Sequence, residues 1–179
     1  MCGIIGTRLM PTHGRDADAD ALDAPLARVY VGLFDAHSCQ NIGEARVIAL
    51  RAAKLIRHRG PDWSGVHTWW DDKRLAVIAH ERLAIVDPES GAQPLKNKSK
   101  SIVLAANGEI YNHLDLRRGP CKDYEFQTHS DCEVIIPLFE KYGHSTESVS
   151  HLDGMFAYIL WDERDKSCGF FSSSGFLDG

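Results

Sequence analysis

The chain begins with the sequence MCGIIG, residues 1–6, in which a cysteine directly follows the initiator methionine. A buried strand would account for Gly3 to Gly6 but not for Cys2, because chain ends are normally frayed and solvated. If Met1 is removed, Cys2 carries a free α-amine beside its thiol, a nucleophile with its own base that suits acyl transfer from an amide. The alternative is that Cys2 is a small hydrophobic residue without a chemical role, and these few residues alone favour that alternative.

The composition is that of a globular protein, with 179 residues, 44% of them hydrophobic and 25% charged. The net charge of -5 argues against a nucleic-acid partner. No apolar run approaches the ~20 residues of a membrane helix and no signal peptide is visible, so we expect a cytoplasmic protein without a membrane partner. The five cysteines form no C-x-x-C pair and the nine histidines no ligand-spaced pair, so neither a disulfide framework nor a metal site is predicted.

Helix and strand patterns alternate irregularly after residue 43. A helix is predicted from Glu44, because Ile48, Ala52 and Leu55 fall on one stripe, and Gly60 with Pro61 ends it. The apolar runs predict strands at 75–80, 82–87, 101–106 and 155–162. Clusters of strands with isolated helices indicate an α+β fold rather than a doubly wound sheet.

A second helix is predicted from Ser130, where the sequence SDCE has the spacing of a capping box between Ser130 and Glu133. The helix should run to Tyr142 and end at Gly143, and Pro137 inside it predicts a kink.

The sequence NGEIYN, residues 107–112, offers a candidate oxyanion hole at the end of a predicted strand. The Asn107 carboxamide and the Gly108 N–H, which no side chain shields, could converge on a developing negative oxygen. The competing interpretation is a hairpin turn, because Asn-Gly between apolar runs is its strongest short signal.

Two charged residues could select an amino-acid substrate. Arg82 can form a bidentate contact with a carboxylate, and Asp131 could bind an ammonium group. Taken separately, Arg82 is better explained as a strand-edge charge and Asp131 as a first-turn residue of the second helix.

Taken together, seven stretches occur in the order found in one known family: MCGIIG, RHRGPDWSG (57–65), HERLAIVD (80–87), GAQPL (91–95), NGEIYNH (107–113), SDCEVI (130–135) and LDGMFAY (152–158). The chain closely resembles the glutamine-hydrolysing domain of the asparagine synthetases, which are class II glutamine amidotransferases. The resemblance covers residues 1 to 6 and about 44 to 165. It implies the four-layer αββα sandwich of the N-terminal nucleophile hydrolases.

The resemblance also implies roles for individual residues. Cys2 would be the nucleophile, and Asn107 with Gly108 the oxyanion hole. Arg82 would hold the glutamine carboxylate, and Asp131 the α-ammonium group. The remaining lining of the implied glutamine pocket is the backbone of Leu83, Ala84, Ile85 and Val86 together with Glu109.

The implied activity is hydrolysis of glutamine to glutamate and ammonia, without a cofactor and without a metal. In a complete enzyme the ammonia would serve the conversion of aspartate to asparagine, and ATP and Mg²⁺ belong to the synthetase domain, which we expect to be absent here. The expected partners are glutamine and a second copy of the chain or a full-length asparagine synthetase. The alternative is a catalytically silent fragment that acts only by associating with a full-length partner.

The expected organisation is a glutaminase domain at 1–165 that contains an insertion at about 7–43. Within that insertion LARVYVGLFDA, residues 26–36, could be a short helix or a strand. Residues 166–179 are expected to be a divergent tail, so that the C-terminal strands of the sandwich are missing and one sheet edge is left unpaired.

Overall fold

A computed structural model describes residues 4–6, 29–35, 42–70, 74–82 and 90–173. The chain divides into two compact units, one within residues 1–83 and one within 84–178. Each unit combines a four-stranded sheet with helices, so the predicted α+β class is confirmed. None of the helices in the described ranges is long and apolar enough to cross a membrane.

The first unit is built on a sheet with the strand order β1-β2-β4-β3. Its strands are β1 (Ile4–Gly6), β2 (Val29–Asp35), β3 (Trp63–Trp70) and β4 (Arg74–Arg82). β1 and β2 are parallel, and the other two pairs are antiparallel. Part of the expected insertion at 7–43 is therefore a strand of the sheet, because residues 29–35 of the ambiguous stretch at 26–36 form β2 rather than a helix. The predicted strands at 75–80 and 82–87 are joined at their boundary, because β4 runs through to Arg82, while residues 83–87 lie outside the described ranges.

The predicted first helix is present as α1 (Ile42–Leu55), but the predicted core stripe is wrong. Ile48 is 40% and Leu55 60% exposed. The buried face is instead the alanine stripe Ala45, Ala49 and Ala53, which packs on Leu75, Val77 and Ala79 of β4. Alanine at every fourth residue lets the helix backbone lie close to the sheet, and this close packing excludes the larger side chains from the interface.

Gly60 ends the helical segment, as predicted, at a point where it touches β4. A 3₁₀ turn at Arg57–Arg59 precedes it. A Cβ atom at position 60 would overlap the Glu81 carbonyl oxygen, so only glycine fits there.

The second unit contains an antiparallel sheet with the strand order β5-β6-β7-β8. Its strands are β5 (Leu95–Lys96), β6 (Ile102–Ile110), β7 (Gly154–Asp162) and β8 (Ser167–Ser172). The predicted strands at 101–106 and 155–162 correspond to β6 and β7. Part of the expected tail, Ser167–Ser172, pairs along β7 and forms the last strand of this sheet.

Helices cover one face of this sheet. They are α2 (His113–Arg118), a 3₁₀ turn at Asp131–Val134, α3 (Ile135–Tyr142) and α4 (Thr146–Ser150). Alternate residues of β6, namely Ile102, Leu104, Ala106 and Ile110, enter their core together with Phe156, Tyr158, Leu160 and Ile136. The other face of β6 and β7 is also buried, and it carries Val103, Ala105, Asn107, Ala157, Ile159 and Trp161.

The second helix ends where the sequence predicted, at Gly143 with φ 68°. Its predicted capping box is wrong, because the Ser130 side chain makes no cap hydrogen bond and the Glu133 side chain reaches further back along the chain. Pro137 lies in the first turn of α3, where a missing N–H costs no intrahelical hydrogen bond.

Candidate functional site

Asn107 is a buried residue of β6 with an unused donor. Its side chain is on the face of the sheet opposite the helices and the residue is 5% exposed. Its Nδ2 has no hydrogen-bond partner within the part of the chain that the structure describes. A buried donor without an acceptor costs about 1–3 kcal/mol, so this amide is suited to a ligand that brings an acceptor. The sequence NGEIYN is not a hairpin turn, because β6 continues through Asn107 and Gly108 to Ile110.

The backbone N–H of Gly108 points to the edge of β6 that faces away from β7. The Phe156 N–H and C=O, opposite Gly108, are bonded to Ser173 instead, at 3.3 and 2.8 Å. Alternate residues of a strand present their N–H groups to the same side. The Gly108 N–H therefore points to the same edge as the N–H groups of Ala106 and Ile110.

Along this edge, the backbone N–H groups two residues before and two residues after Gly108 each donate a hydrogen bond to a side chain. The Gln93 amide accepts from the Ala106 N–H and donates to its carbonyl, both at 2.7 Å. The Asp131 carboxylate accepts from the Ile110 N–H at 2.7 Å. The Gly108 N–H is thus framed by two fixed contacts and lies one residue from the unpaired Asn107 amide.

Gly108 itself cannot be replaced without strain. Its φ is +139°, a conformation that L residues rarely adopt, and a Cβ atom would overlap the Met155 carbonyl oxygen. The glycine therefore lets β6 approach β7 closely at the residue whose N–H the sequence assigns to an oxyanion hole.

Asp131 is the first residue of the 3₁₀ turn ahead of α3, and its side chain lies at this edge of β6. It is 4% exposed, and beside it the Cys132 Sγ lies 3.7 Å from Asp131 Oδ2 and 3.9 Å from the Gly108 carbonyl oxygen. Glu109 is exposed and lies opposite Met155 in the register. The structure therefore brings Asn107, Gly108, Glu109 and Asp131 together.

The chain entering Asp131 is held on both sides. Glu133 is fully buried; its Oε1 accepts from the Gln127 N–H at 2.7 Å, and its Oε2 accepts from the Thr128 N–H and hydroxyl at 2.7 and 2.6 Å. On the carbonyl side, Arg117 donates to Thr128 and Ser130 at 3.2 and 2.8 Å while its guanidinium stacks on a ring 3.9 Å away, that of Phe126. We call Gln127–Ser130 with these two side chains the Asp131 clamp.

Arg82 lies in the first unit, as the last residue of β4. It is 6% exposed, and its carbonyl oxygen accepts from the Asp62 N–H at 3.1 Å. Its neighbour Glu81 is 1% exposed and accepts from the Ser64 hydroxyl at 2.7 Å. Arg57 donates to that hydroxyl at 2.7 Å and lies 3.7 Å from the Glu81 carboxylate, so the buried charge has a cation beside it.

Five of the site residues predicted from the sequence lie outside the described ranges, namely Cys2, Leu83, Ala84, Ile85 and Val86. Two of the described cysteines are poor nucleophiles, because burial raises the pKa of the Cys121 thiol and raises that of Cys168 to about 12. Cys2 stays the predicted nucleophile.

Three residues that hold the site in place were not predicted from the sequence. Gln93 belongs to the GAQPL stretch, which carried the resemblance but no role, and Arg117 belongs to no motif. Glu133 was assigned to a capping box, because the contact it makes depends on a loop that folds back over the turn. The available signal was Pro94, because proline in a sheet is confined to edge strands and strand starts, and it directly precedes the short edge strand β5.

Comparison with known proteins adds a family and several relatives. A family model described as a glutamine amidotransferase domain matches residues 31–171. The chain is 55% identical over 123 residues to asparagine synthetase [glutamine-hydrolyzing] 2 from Oryza sativa subsp. japonica, covering 69% of this chain and 19% of that protein. It is 47% identical over 137 residues to the asparagine synthetase [glutamine-hydrolyzing] of Brassica oleracea, covering 76% of this chain and 22% of that protein.

Among solved structures, the chain is similar to the glutamine phosphoribosylpyrophosphate amidotransferase from B. subtilis, complexed with ADP and GMP. The TM-score is 0.53 with 25% sequence identity, over 66% of this chain and 33% of that one. The chain spans about a fifth of the length of the curated relatives named above.

Proposed function

The chain belongs to the glutamine amidotransferase domain family, and from that premise we propose that it hydrolyses glutamine to glutamate and ammonia. The observation that carries the proposal is the buried, unpartnered Asn107 amide next to the Gly108 N–H on a strand edge that no side chain of Gly108 blocks. Two donors one residue apart on a rigid strand are what a tetrahedral oxyanion requires.

The proposed reaction begins at Cys2 once Met1 has been removed. The α-amine takes the thiol proton, and the sulfur attacks the carboxamide carbon of glutamine. The carbonyl oxygen, on which negative charge develops, accepts hydrogen bonds from Asn107 Nδ2 and the Gly108 N–H. Collapse of the tetrahedral species breaks the C–N bond, and the α-ammonium returns its proton to the departing ammonia. Water, deprotonated by the same amine, then attacks the thioester carbonyl carbon. The C–S bond breaks to release glutamate, and the α-ammonium returns its proton to the Cys2 sulfur.

Recognition of the substrate is assigned to charged groups outside the reacting bond. In this proposal Arg82 holds the α-carboxylate, Asp131 holds the α-ammonium group, and Glu109 with the backbone of 83–86 lines the pocket. The step needs no cofactor, because a sulfur nucleophile, an amine base and two hydrogen-bond donors supply its chemistry.

The similarity to asparagine synthetases suggests a use for the ammonia. In a complete enzyme of that kind it would serve the ATP- and Mg²⁺-dependent conversion of aspartate to asparagine, and this chain would supply the glutaminase part. A second copy of the chain or a full-length asparagine synthetase is the corresponding protein partner.

Covalent labelling tests the proposal directly. The purified chain is incubated with the glutamine analogue 6-diazo-5-oxo-L-norleucine, and the intact mass is measured for the wild type and for Cys2→Ala. We expect one adduct on the wild-type form that lacks Met1 and none on the variant. If folded protein without Met1 forms no adduct, the result would contradict the proposed glutaminase activity and favour the catalytically silent fragment.

A further inference from the structure

The Asp131 clamp is built so that position 133 must be a carboxylate. All three groups that face the Glu133 oxygens are donors, namely the Gln127 N–H and the Thr128 N–H and hydroxyl. A glutamine at this position would place its NH₂ group opposite a backbone N–H in either orientation, that of Gln127 or that of Thr128. A backbone N–H cannot rotate to become an acceptor, so two donors would face each other. The side chain is fully buried, so water cannot substitute for a lost contact.

The clamp fixes the chain on both sides of Asp131. Ahead of Asp131, the Ser130 N–H donates to the Thr128 hydroxyl oxygen at 3.1 Å, and the Ser130 carbonyl accepts from Arg117 at 2.8 Å. Behind it, the Glu133 N–H donates to the same Ser130 carbonyl at 3.3 Å. The backbone of Asp131 therefore has little freedom to move.

The position of the Asp131 side chain follows from this restraint. Its Oδ2 accepts from the Ile110 N–H at 2.7 Å, two residues along β6 from Gly108. A carboxylate discriminates an ammonium group well only when it is held in place, because a mobile one loses ordering free energy on binding. Released from the clamp, Asp131 could keep its charge yet lose this position.

We infer that Glu133, acting through Thr128 and together with Arg117, is a positioning residue that sets Asp131 for recognition of the substrate α-ammonium group. This inference rests on the proposed function, since it assigns a substrate group to Asp131. Glu133 itself touches no substrate; it controls how selectively the site binds glutamine over an analogue that lacks the amine.

The test measures that selectivity in a Cys2→Ala background, which cannot turn the substrate over. L-Glutamine and glutaramate, the same molecule without its α-amine, are titrated by calorimetry into the reference chain, into Glu133→Gln and into Glu125→Gln. We expect Glu133→Gln to weaken L-glutamine binding about tenfold and to leave glutaramate binding unchanged. Glu125 is exposed on the same loop and pairs with Lys98 at 2.5 Å, so its variant should change neither affinity.

Equal weakening of both ligands, or no change for either, would overturn the inference. If the reference chain binds no L-glutamine, the proposed function fails instead, and amide hydrogen exchange still decides on the positioning. The Ile110 amide should exchange at least about tenfold faster in Glu133→Gln, because its acceptor Asp131 has moved, and unchanged exchange refutes the role of Glu133. Thr128→Val removes only the hydroxyl contacts and serves as the milder variant if Glu133→Gln does not fold.

Discussion

At the scale of single residues, Gly108 is the position where backbone geometry and proposed chemistry depend most directly on each other. Its positive φ and its contact with the Met155 carbonyl leave no space for a side chain, and the same absence exposes its N–H on the strand edge. A residue with a side chain could adopt this conformation only at a cost of about 1–3 kcal/mol, which glycine avoids.

Replacing Gly108 with alanine should therefore damage activity and stability together. We expect Gly108→Ala to lower kcat/KM for glutamine at least about 100-fold, because the Cβ atom would push the backbone and its retained N–H out of the donor position, and to lower the free energy of unfolding by about 1–3 kcal/mol. Glutaminase kinetics and urea unfolding measure the two effects.

Gly143→Ala is the matched control for that experiment. Gly143 also has a positive φ, 68°, but a Cβ atom there meets nothing within 4 Å. This variant should lose about 1–3 kcal/mol of stability, because φ 68° with ψ -161° is a region that side-chain-bearing residues rarely adopt, and keep its activity. A Gly108→Ala protein that behaves like the control would contradict the special role of position 108.

The residues that bear the proposed chemistry were predictable, whereas those that hold them were not. Asn107, Gly108 and Asp131 have side-chain or backbone chemistry that is visible in the sequence, and the fold brings them together across more than twenty residues of chain. Gln93 and Glu133 act by accepting from backbone N–H groups, and which N–H groups these are depends on how distant segments pack.

At the scale of elements, α1 shows why a hydrophobic pattern can predict a helix and still misplace its buried face. Two stripes compete on this helix, one of large apolar residues and one of alanines, and both have helical spacing. Size favours the first stripe for burial, but the close approach of the helix to β4 favours the second. The choice depends on the distance between helix and sheet, which a single helical segment does not encode.

A pair of substitutions checks this assignment of the buried face. Ala49 is fully buried, so Ala49→Leu should force the helix off the sheet and lower the free energy of unfolding by about 1–3 kcal/mol. Ile48→Ala removes a larger side chain from the 40% exposed position and should change stability by no more than about 0.5 kcal/mol. Denaturant unfolding of both variants gives the comparison, and the opposite order would restore the stripe that the sequence predicted.

The turn between β7 and β8 is secured by an ion pair within three residues. The Asp162 carboxylate accepts from the Arg164 N–H and Nε at 2.9 Å and from Nη2 at 2.5 Å. Burial alone would raise the pKa of Asp162, but the side-chain and backbone hydrogen bonds and the charge of Arg164 outweigh it and hold the pKa below its usual value. Stabilisation from this group is therefore present above about pH 4 and is lost as the pH falls through the lowered pKa.

Asp162→Asn should make this pH dependence visible. At pH 7 the variant should lose about 1.5 kcal/mol of unfolding free energy, because the hydrogen bonds no longer involve a charged acceptor. The difference from wild type should shrink as the pH falls below 4, since the wild-type carboxyl then becomes neutral as well. Urea unfolding between pH 7 and pH 2.5 measures it, and a gap that stays constant across this range would contradict the assignment.

At the scale of the whole molecule, the sequence predicted the class and the order of most elements but not the short or unpatterned ones. β3 contains WSGVHTWW, which has no clean alternation, and β8 contains small residues that resemble a tail. Both strands are stabilised by backbone hydrogen bonds to a neighbouring strand, β4 for β3 and β7 for β8. This stabilisation depends on the neighbouring strand and is not visible in the strand's own sequence. α2 and α4, of six and five residues, depend in the same way on the core they cover.

Glutamine should stabilise the folded chain if the proposed function is right. A ligand that binds only the folded state at 100 times its Kd adds about 2.7 kcal/mol, which raises Tm by about 5–10 °C in a chain of this size. The measurement is thermal unfolding of Cys2→Ala with L-glutamine, with D-glutamine as the control. Equal melting temperatures with both enantiomers would argue against a site that recognises the α-carbon substituents.

The contacts around Glu81 bear on how such chains can change over time. Ser64 bridges Arg57 and Glu81. Two separate stretches of the sequence, RHRGPDWSG and HERLAIVD, therefore meet in a single polar contact. Replacing Arg57 would leave the buried Glu81 carboxylate without its cation, and replacing Ser64 would remove a hydroxyl that donates to it, so we expect the three residues to vary together. The two stretches are therefore coupled through one polar contact, and a change in one of them is expected to be felt in the other.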